Sequence, residues 1–209
     1  MYIYIYNMEQ LGNVLMNNKE ILQTSIENLI KLFQRRKYLE NGQDKIDKII
    51  SSINENDIAM LQTPTHKISI YFKQIDVSNI SAGSNLDDFM SKNLDTLKFI
   101  IINSFSKKVY KQIQEYKNSE VFRVYEMLED IPSKSFIPEH TLLTTEDEAD
   151  ITSVYKKEQM AQIKNTDMMC RYYGGKVGNV FRINRYNVNS GYSSYYRVVV
   201  NDPGLSMFG

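Results

Sequence analysis

A mixed α/β fold in two domains is the prediction, and three observations carry it. Apolar residues recur at helical spacing through the first fifty residues. Short apolar runs alternating with helical stretches then imply strand, helix, strand, helix, strand. The interruption Ile131-Pro132-Ser-Lys-Ser135 then separates this part from a strand-like last third. The expected layout is an extension and helix lead-in over 1–19, an α/β/α sandwich over 20–132, and a small α+β domain over 133–209 that ends in a hairpin.

Ile21, Ile26, Leu29, Ile30, Leu32 and Phe33 share one face of a first helix. Arg35 and Arg36 close it, where positive charge suits the helix dipole as well as it would suit a DNA phosphate. A second helix runs from about Gln43 to Ile53 and breaks at Asn54-Glu-Asn-Asp57. Strands follow at Lys67–Phe72, Leu97–Asn103 and Glu120–Tyr125. The Leu97 run is apolar nearly throughout, as a central strand would be, whereas the Lys67 run alternates like an edge or half-covered strand. Helices are expected over Leu86–Asn93 and Lys107–Tyr116, capped by Asn85 and Ser106. Beyond the boundary, Thr141–Leu143 is extended, Thr145 and Glu148 form a capping-box signature, and Asn179–Ile183 and Tyr195–Val200 flank a turn at Asn187–Gly191.

Twenty-five basic residues balance 25 acidic ones, so any nucleic-acid contact requires a local patch. The single cysteine, Cys170, forms no internal disulfide and points to a reducing compartment. Residues 1–7 alternate like a short strand or form an extension; they lack the basic region and cleavage site of a secretory signal. No apolar run reaches the roughly 18 residues of a membrane span, so no membrane partner is expected.

His140 invites a catalytic or metal reading, but no Cys or His stands at ligand spacing from it, and a hydrogen-bonded structural histidine fits better. Arg171-Tyr172-Tyr173 and Tyr195-Tyr196-Arg197 combine the residue types enriched in binding hot spots, and equally those that fill a small sheet. Gly174, Gly175 and Gly178 lack the Gly-Lys-Ser/Thr of a phosphate loop and read as turn residues. Ser104, Ser106, Lys107 and Lys108 at a helix start suit either a phosphate or an ordinary cap with solvated lysines. A metal-dependent nuclease would need an acidic-X-lysine pair on a strand. The chain's one such triplet, Glu115-Tyr-Lys117, lies at a helix end. No cofactor, metal or small-molecule substrate is expected.

Three blocks of the second domain carry a resemblance. They are Ile137-Pro138-Glu139-His140 with Leu143; Asp167-Met-Met-Cys-Arg171-Tyr172-Tyr173-Gly174; and Gly178-Asn-Val-Phe-Arg-Ile183 with Arg185, Gly191 and Tyr196-Arg197-Val198-Val199. In order and register they resemble the assembly domain of the fifth subunit of eukaryotic-type RNA polymerases, a domain shared with its archaeal counterpart. Phe33–Tyr38, Ile68–Phe72, Leu97–Ile102 and the helix after Ser106 are similar to that family's jaw domain, which archaeal members lack.

The resemblance implies a non-catalytic polymerase subunit. Its second domain would dock on the largest subunit through Pro138, Glu139, His140, Arg171, Tyr172, Tyr173, Gly174, Arg185, Gly191, Tyr196 and Arg197. Its first would form part of the downstream-DNA jaw, with Ser104, Ser106, Lys107 and Lys108 near the backbone of the double strand. A cellular member would work in the nucleus. The richness in Asn, Lys and Ile suggests an A+T-rich genome and departures from the family pattern suggest a divergent member, which together favour a large DNA virus, hence host cytoplasm and virion. Met168, Ala161 and Phe105 replace prolines of the family pattern, and Val188 replaces an acidic turn residue. The rival reading, a free-standing nucleic-acid or adaptor protein, expects a stable monomer, whereas a docked polymerase component buries about 1,600 Å².

Overall fold

The computed structural model describes residues 16–187 and 191–208. The expectations for residues 1–7 and for Val188 in the hairpin turn lie outside them. The chain is mixed α/β, with one four-stranded mixed sheet in each of two compact units that divide between Glu129 and Asp130.

In the first unit, α1 (Asn18–Arg35) begins at Asn17, whose side chain accepts from the amides of Lys19 and Glu20 while Glu20 accepts from the Asn17 amide. This reciprocal cap contributes about 1 kcal/mol. Ile26, Leu29, Leu32 and Phe33 are sealed from solvent along one stripe, each contributing roughly 1.5–3 kcal/mol. After a 3₁₀ turn, α2 (Ile46–Asn56) ends at Asp57 in the left-handed region.

The sheet then forms from β1 (Ile58–Gln62), β2 (Lys67–Val77), β3 (Leu97–Phe105) and β4 (Ser119–Arg123), in spatial order 1-2-3-4. β1 is antiparallel to β2, and β2, β3 and β4 are parallel. The crossovers are α3 (Asn85–Lys92) and α4 (Lys107–Glu115), and the short α5 (Val124–Met127) follows β4.

Three sequence expectations for this unit are corrected. The strand expected over Glu120–Tyr125 ends at Arg123, and Val124 and Tyr125 begin α5. β2 is not an edge or half-covered strand: it pairs on both sides and buries Ile68 to Phe72 without a break. The reason is β1, an unanticipated short strand that takes the edge. In addition, Ser84 rather than Asn85 caps α3, by accepting from Asp87 N at 3.3 Å.

In the second unit, β5 (Glu139–Leu142), α6 (Thr145–Val154), β6 (Ala161–Lys164), α7 (Met168–Tyr172), β7 (Val180–Asn187) and β8 (Gly191–Val200) build a sheet of order 5-7-8-6. Thr144, not Thr145, caps α6, accepting from Asp147 N at 3.2 Å. β6 runs parallel to β8; the other pairings are antiparallel. Ile163, Cys170, Phe181, Ile183 and Val199 form the core, with Leu142 and Tyr173 against it. Gly175 closes the α7 turn so tightly that a Cβ there would stand 2.8 Å from the Phe181 ring and 2.9 Å from Cys170 Sγ. Gly174 and Gly178 have positive φ, as turn glycines do.

Candidate interaction surface

Strand register sorts the second unit's candidates onto two faces. Because side chains alternate along a strand and opposed residues share a face, His140, Arg185 and Arg197 lie on the core side with Phe181 and Ile183. Glu139 and Tyr196 lie on the other side, with Arg182, Asn184, Tyr186 and Tyr192. The sequence-predicted set is therefore not one patch.

On the core side, α7 covers part of the sheet. Asp167 caps it, accepting from Met169 N at 2.9 Å, and Met168 holds the first helical position. Proline is favoured there for its fixed φ and missing donor, so methionine starts the helix without that presetting. Tyr172 is 2% exposed and belongs to the core. Tyr173 meets Tyr172 and Phe181 edge-on at 5.5 and 6.2 Å. Of the three residues Arg171-Tyr172-Tyr173, then, Tyr172 fills the sheet, while Arg171 and Tyr173 remain half-buried.

Beyond α7, the half-buried ring of His140 stands edge-on to Phe181 at 6.2 Å. Its Nδ1 lies 2.6 Å from the Pro138 carbonyl oxygen, which only accepts, so Nδ1 donates and Nε2 of the neutral ring is an acceptor. Burial holds the His140 pKa below its ordinary value, and the charges of Arg197 and Arg185 push the same way. The Pro138 hydrogen bond and Asp167 act in the opposite direction. Arg185 stands over the Tyr195 ring at 5.4 Å. Gly191 opens β8 with positive φ.

On the opposite side, Asn184 donates to Glu139 Oε2 at 2.9 Å and accepts from Ser194 Oγ at 2.8 Å. Tyr196 stacks on Tyr155, just past α6, at 6.5 Å. Tyr186 and Tyr192 face each other across the ladder, centroids 5.2 Å apart.

In the first unit, Ser106 is committed to capping α4: Oγ accepts from Val109 N at 3.2 Å and donates to the Ser78 carbonyl at 2.9 Å. Ser104 Oγ donates to Asp76 Oδ1 at 2.6 Å. Lys107 and Lys108 are exposed in the first turn of α4, which contains no acidic residue. Arg36 is buried in an ion pair with Glu120, a role neither of its sequence readings foresaw.

Among the described residues no group of three His, Cys, Asp or Glu side chains is placed to hold a metal ion, and no helix is long and apolar enough to cross a membrane. Glu115 ends α4 and Lys117 follows in the loop, off any strand.

The sequence reading gave Arg182 no role and left out Tyr186 and Tyr192. Counting by twos from the buried Phe181 and Ile183 would have put Arg182 and Tyr186 on the opposite face.

A histidine with two arginines on its side of the sheet, and tyrosines displayed on the sheet, are groups of the kind that bind a partner. Residues 129–199 match the family described as RNA polymerase Rpb5, C-terminal domain. The chain is 24% identical over 203 residues to DNA-directed RNA polymerases I, II, and III subunit rpabc1 of Dictyostelium discoideum, covering 92% of this chain and 100% of that one. It is 23% identical over 199 residues to DNA-directed RNA polymerase subunit 5 of Acanthamoeba polyphaga mimivirus, covering 90% and 96%. With DNA-directed RNA polymerase subunit Rpo5 of Thermococcus onnurineus it shares 37% identity over 75 residues, 35% of this chain and 92% of the archaeal one. The chain belongs to the fifth-subunit family of DNA-directed RNA polymerases and is, as such, a non-catalytic subunit.

Proposed function

We propose that the chain is anchored to the largest polymerase subunit by its second unit, residues 130–209, and that its first unit forms part of the jaw around downstream DNA. The observation that carries the anchoring is the archaeal relative. A 75-residue match spans 92% of a complete polymerase subunit, and the family match falls on residues 129–199, so the subunit role persists in a chain little larger than this unit.

The anchoring groups divide by role. His140 Nε2, Arg171, Arg185 and Arg197 supply an acceptor and three cations from the core side of the sheet, and the half-buried Tyr173 adds contact area. Pro138 fixes the His140 ring through its carbonyl. Gly174 and Gly191 shape the backbone, and Tyr172 acts through packing. Glu139 and Tyr196 join from the other side.

The test is co-purification from the native source at moderate salt, with an Arg185→Glu/Arg197→Glu chain compared with the parent and circular dichroism used to check the fold. The expected result is at least a tenfold loss of the large subunits. Equal recovery would overturn the assignment.

For the jaw, the support is local. Lys107 and Lys108 occupy a helix start, where the dipole disfavours each cation by roughly 0.3–1 kcal/mol, so helix stability does not account for them. With Ser106 used as a cap and Ser104 donating to Asp76, the lysines carry the phosphate reading, which is independent of base sequence. Cellular and viral relatives match the chain at similar identity, so it is the composition and the departures from the family pattern that favour a virus, and hence host cytoplasm and virion over the nucleus.

A further inference from the structure

Residues 182–197 contain three arginines, four tyrosines and no Asp, Glu or Lys, within a chain of zero net charge. The β7–β8 ladder runs through this stretch and divides it between the two faces of the sheet. Arg185, Tyr195 and Arg197 go to the side that carries most of the anchoring groups; Arg182, Tyr186 and Tyr192 go to the other, which also holds Glu139 and Tyr196. There Tyr186 is 67% and Tyr192 81% exposed, their rings touching edge to face at 5.2 Å. Arg182 is exposed on the same face, four residues before Tyr186 along β7. Two large rings held in water by a regular ladder bury little of their own surface and contribute little to folding.

We infer that Arg182, Tyr186 and Tyr192 form a second docking surface, on the face opposite His140, Arg185 and Arg197, for a polypeptide segment in which a carboxylate is flanked by apolar residues. The carboxylate would take the two-point hydrogen bonds of the Arg182 guanidinium, and an apolar neighbour would cover the tyrosine pair. Charge selects a peptide over a nucleic-acid strand. A single strand needs a track of cations for its successive phosphates, and this face offers Arg182 followed by the Glu139 carboxylate, fixed by Asn184 at 2.9 Å. A segment with one acidic side chain ends before reaching Glu139. The inference extends the polymerase-subunit reading and does not depend on which residues make the anchor.

The experiment uses the full chain assembled in its native polymerase, with the photocrosslinker p-benzoylphenylalanine in place of Tyr192. Crosslinked peptides are mapped by mass spectrometry, with and without Arg182→Glu. The expected product is one polypeptide segment bearing a carboxylate beside apolar residues, its yield falling at least tenfold with Arg182→Glu while large-subunit recovery stays at the parent level. Crosslinks to nucleic acid, a yield indifferent to Arg182→Glu, or no polypeptide product would each overturn the inference. Failure of the anchor assignment has its own signature: large subunits retained by the Arg185→Glu/Arg197→Glu chain.

Discussion

Arg36, the residue that closes α1, holds Glu120 of β4 through two parallel hydrogen bonds of 2.8 and 2.7 Å. Its side chain is 3% exposed and its guanidinium lies 5.4 Å from the Phe99 ring centroid. The pair ties the first helix of the first unit to the strand at the far edge of its sheet. Burial alone would weaken the guanidinium's hold on its proton; the Glu120 carboxylate and Tyr38 together more than offset that and raise the pKa.

A buried pair costs most when half of it is removed, because the remaining charge loses its counter-ion while staying shielded from water. Glu120→Ala is expected to lower stability by about 3–5 kcal/mol, read from the urea midpoint. The double variant Arg36→Met/Glu120→Leu, which removes both charges, should recover most of that loss. A single variant within about 0.5 kcal/mol of the parent would show that the pair contributes nothing to the fold.

The second prediction concerns His140. Its folded pKa lies below the ordinary value near 6.5, chiefly through burial. The unfolded chain therefore binds the proton first on acidification. The contribution of neutral His140 is complete above about pH 6.5 and is lost as pH falls through the depressed folded value. Thermal midpoints measured between pH 7.5 and 5 should fall further for the parent than for His140→Gln. Parallel curves would mean that the ring titrates alike in both states.

How much of this was legible in the sequence follows from the range of the interactions. The first two helices announced themselves by a 3.6-residue period and the Leu97 run by its length, whereas the four-residue α5 is too short to show a period and its Val124 and Tyr125 read as strand. What escaped was fixed by distant partners. β2 is central only because Ile58–Gln62 folds back on it, and those five residues give no period long enough to read. α7 is a five-residue helix for the same reason, and Tyr172 is buried while Arg171 beside it is not. The candidate surface was legible as residue types but not as faces. Which side His140, Arg185 and Tyr196 share depends on the pairing register of β5, β7 and β8, and that is set by turns and by the core under Phe181.

The last prediction separates the two explanations of Lys107 and Lys108. If they are simply solvated, replacing both by alanine removes an unfavourable dipole interaction and leaves DNA affinity unchanged. If they neutralise phosphates, each contact releases a condensed counterion, and the slope of log K against log salt concentration falls by about 0.9 per phosphate. For the assembled polymerase on a downstream duplex, Lys107→Ala/Lys108→Ala should therefore flatten the slope by about 1.8 and cost most at low salt. Ser106 must be left intact, because its hydroxyl caps α4 and its loss would disturb the helix on which both lysines stand. The readout is retention of labelled duplex from roughly 50 to 200 mM salt, the range over which a few phosphate contacts change affinity measurably. Superimposable salt curves would assign the lysines to solvent and leave the jaw reading without a DNA contact in this chain. A flattened slope with unchanged recovery of the large subunits would separate DNA retention from assembly.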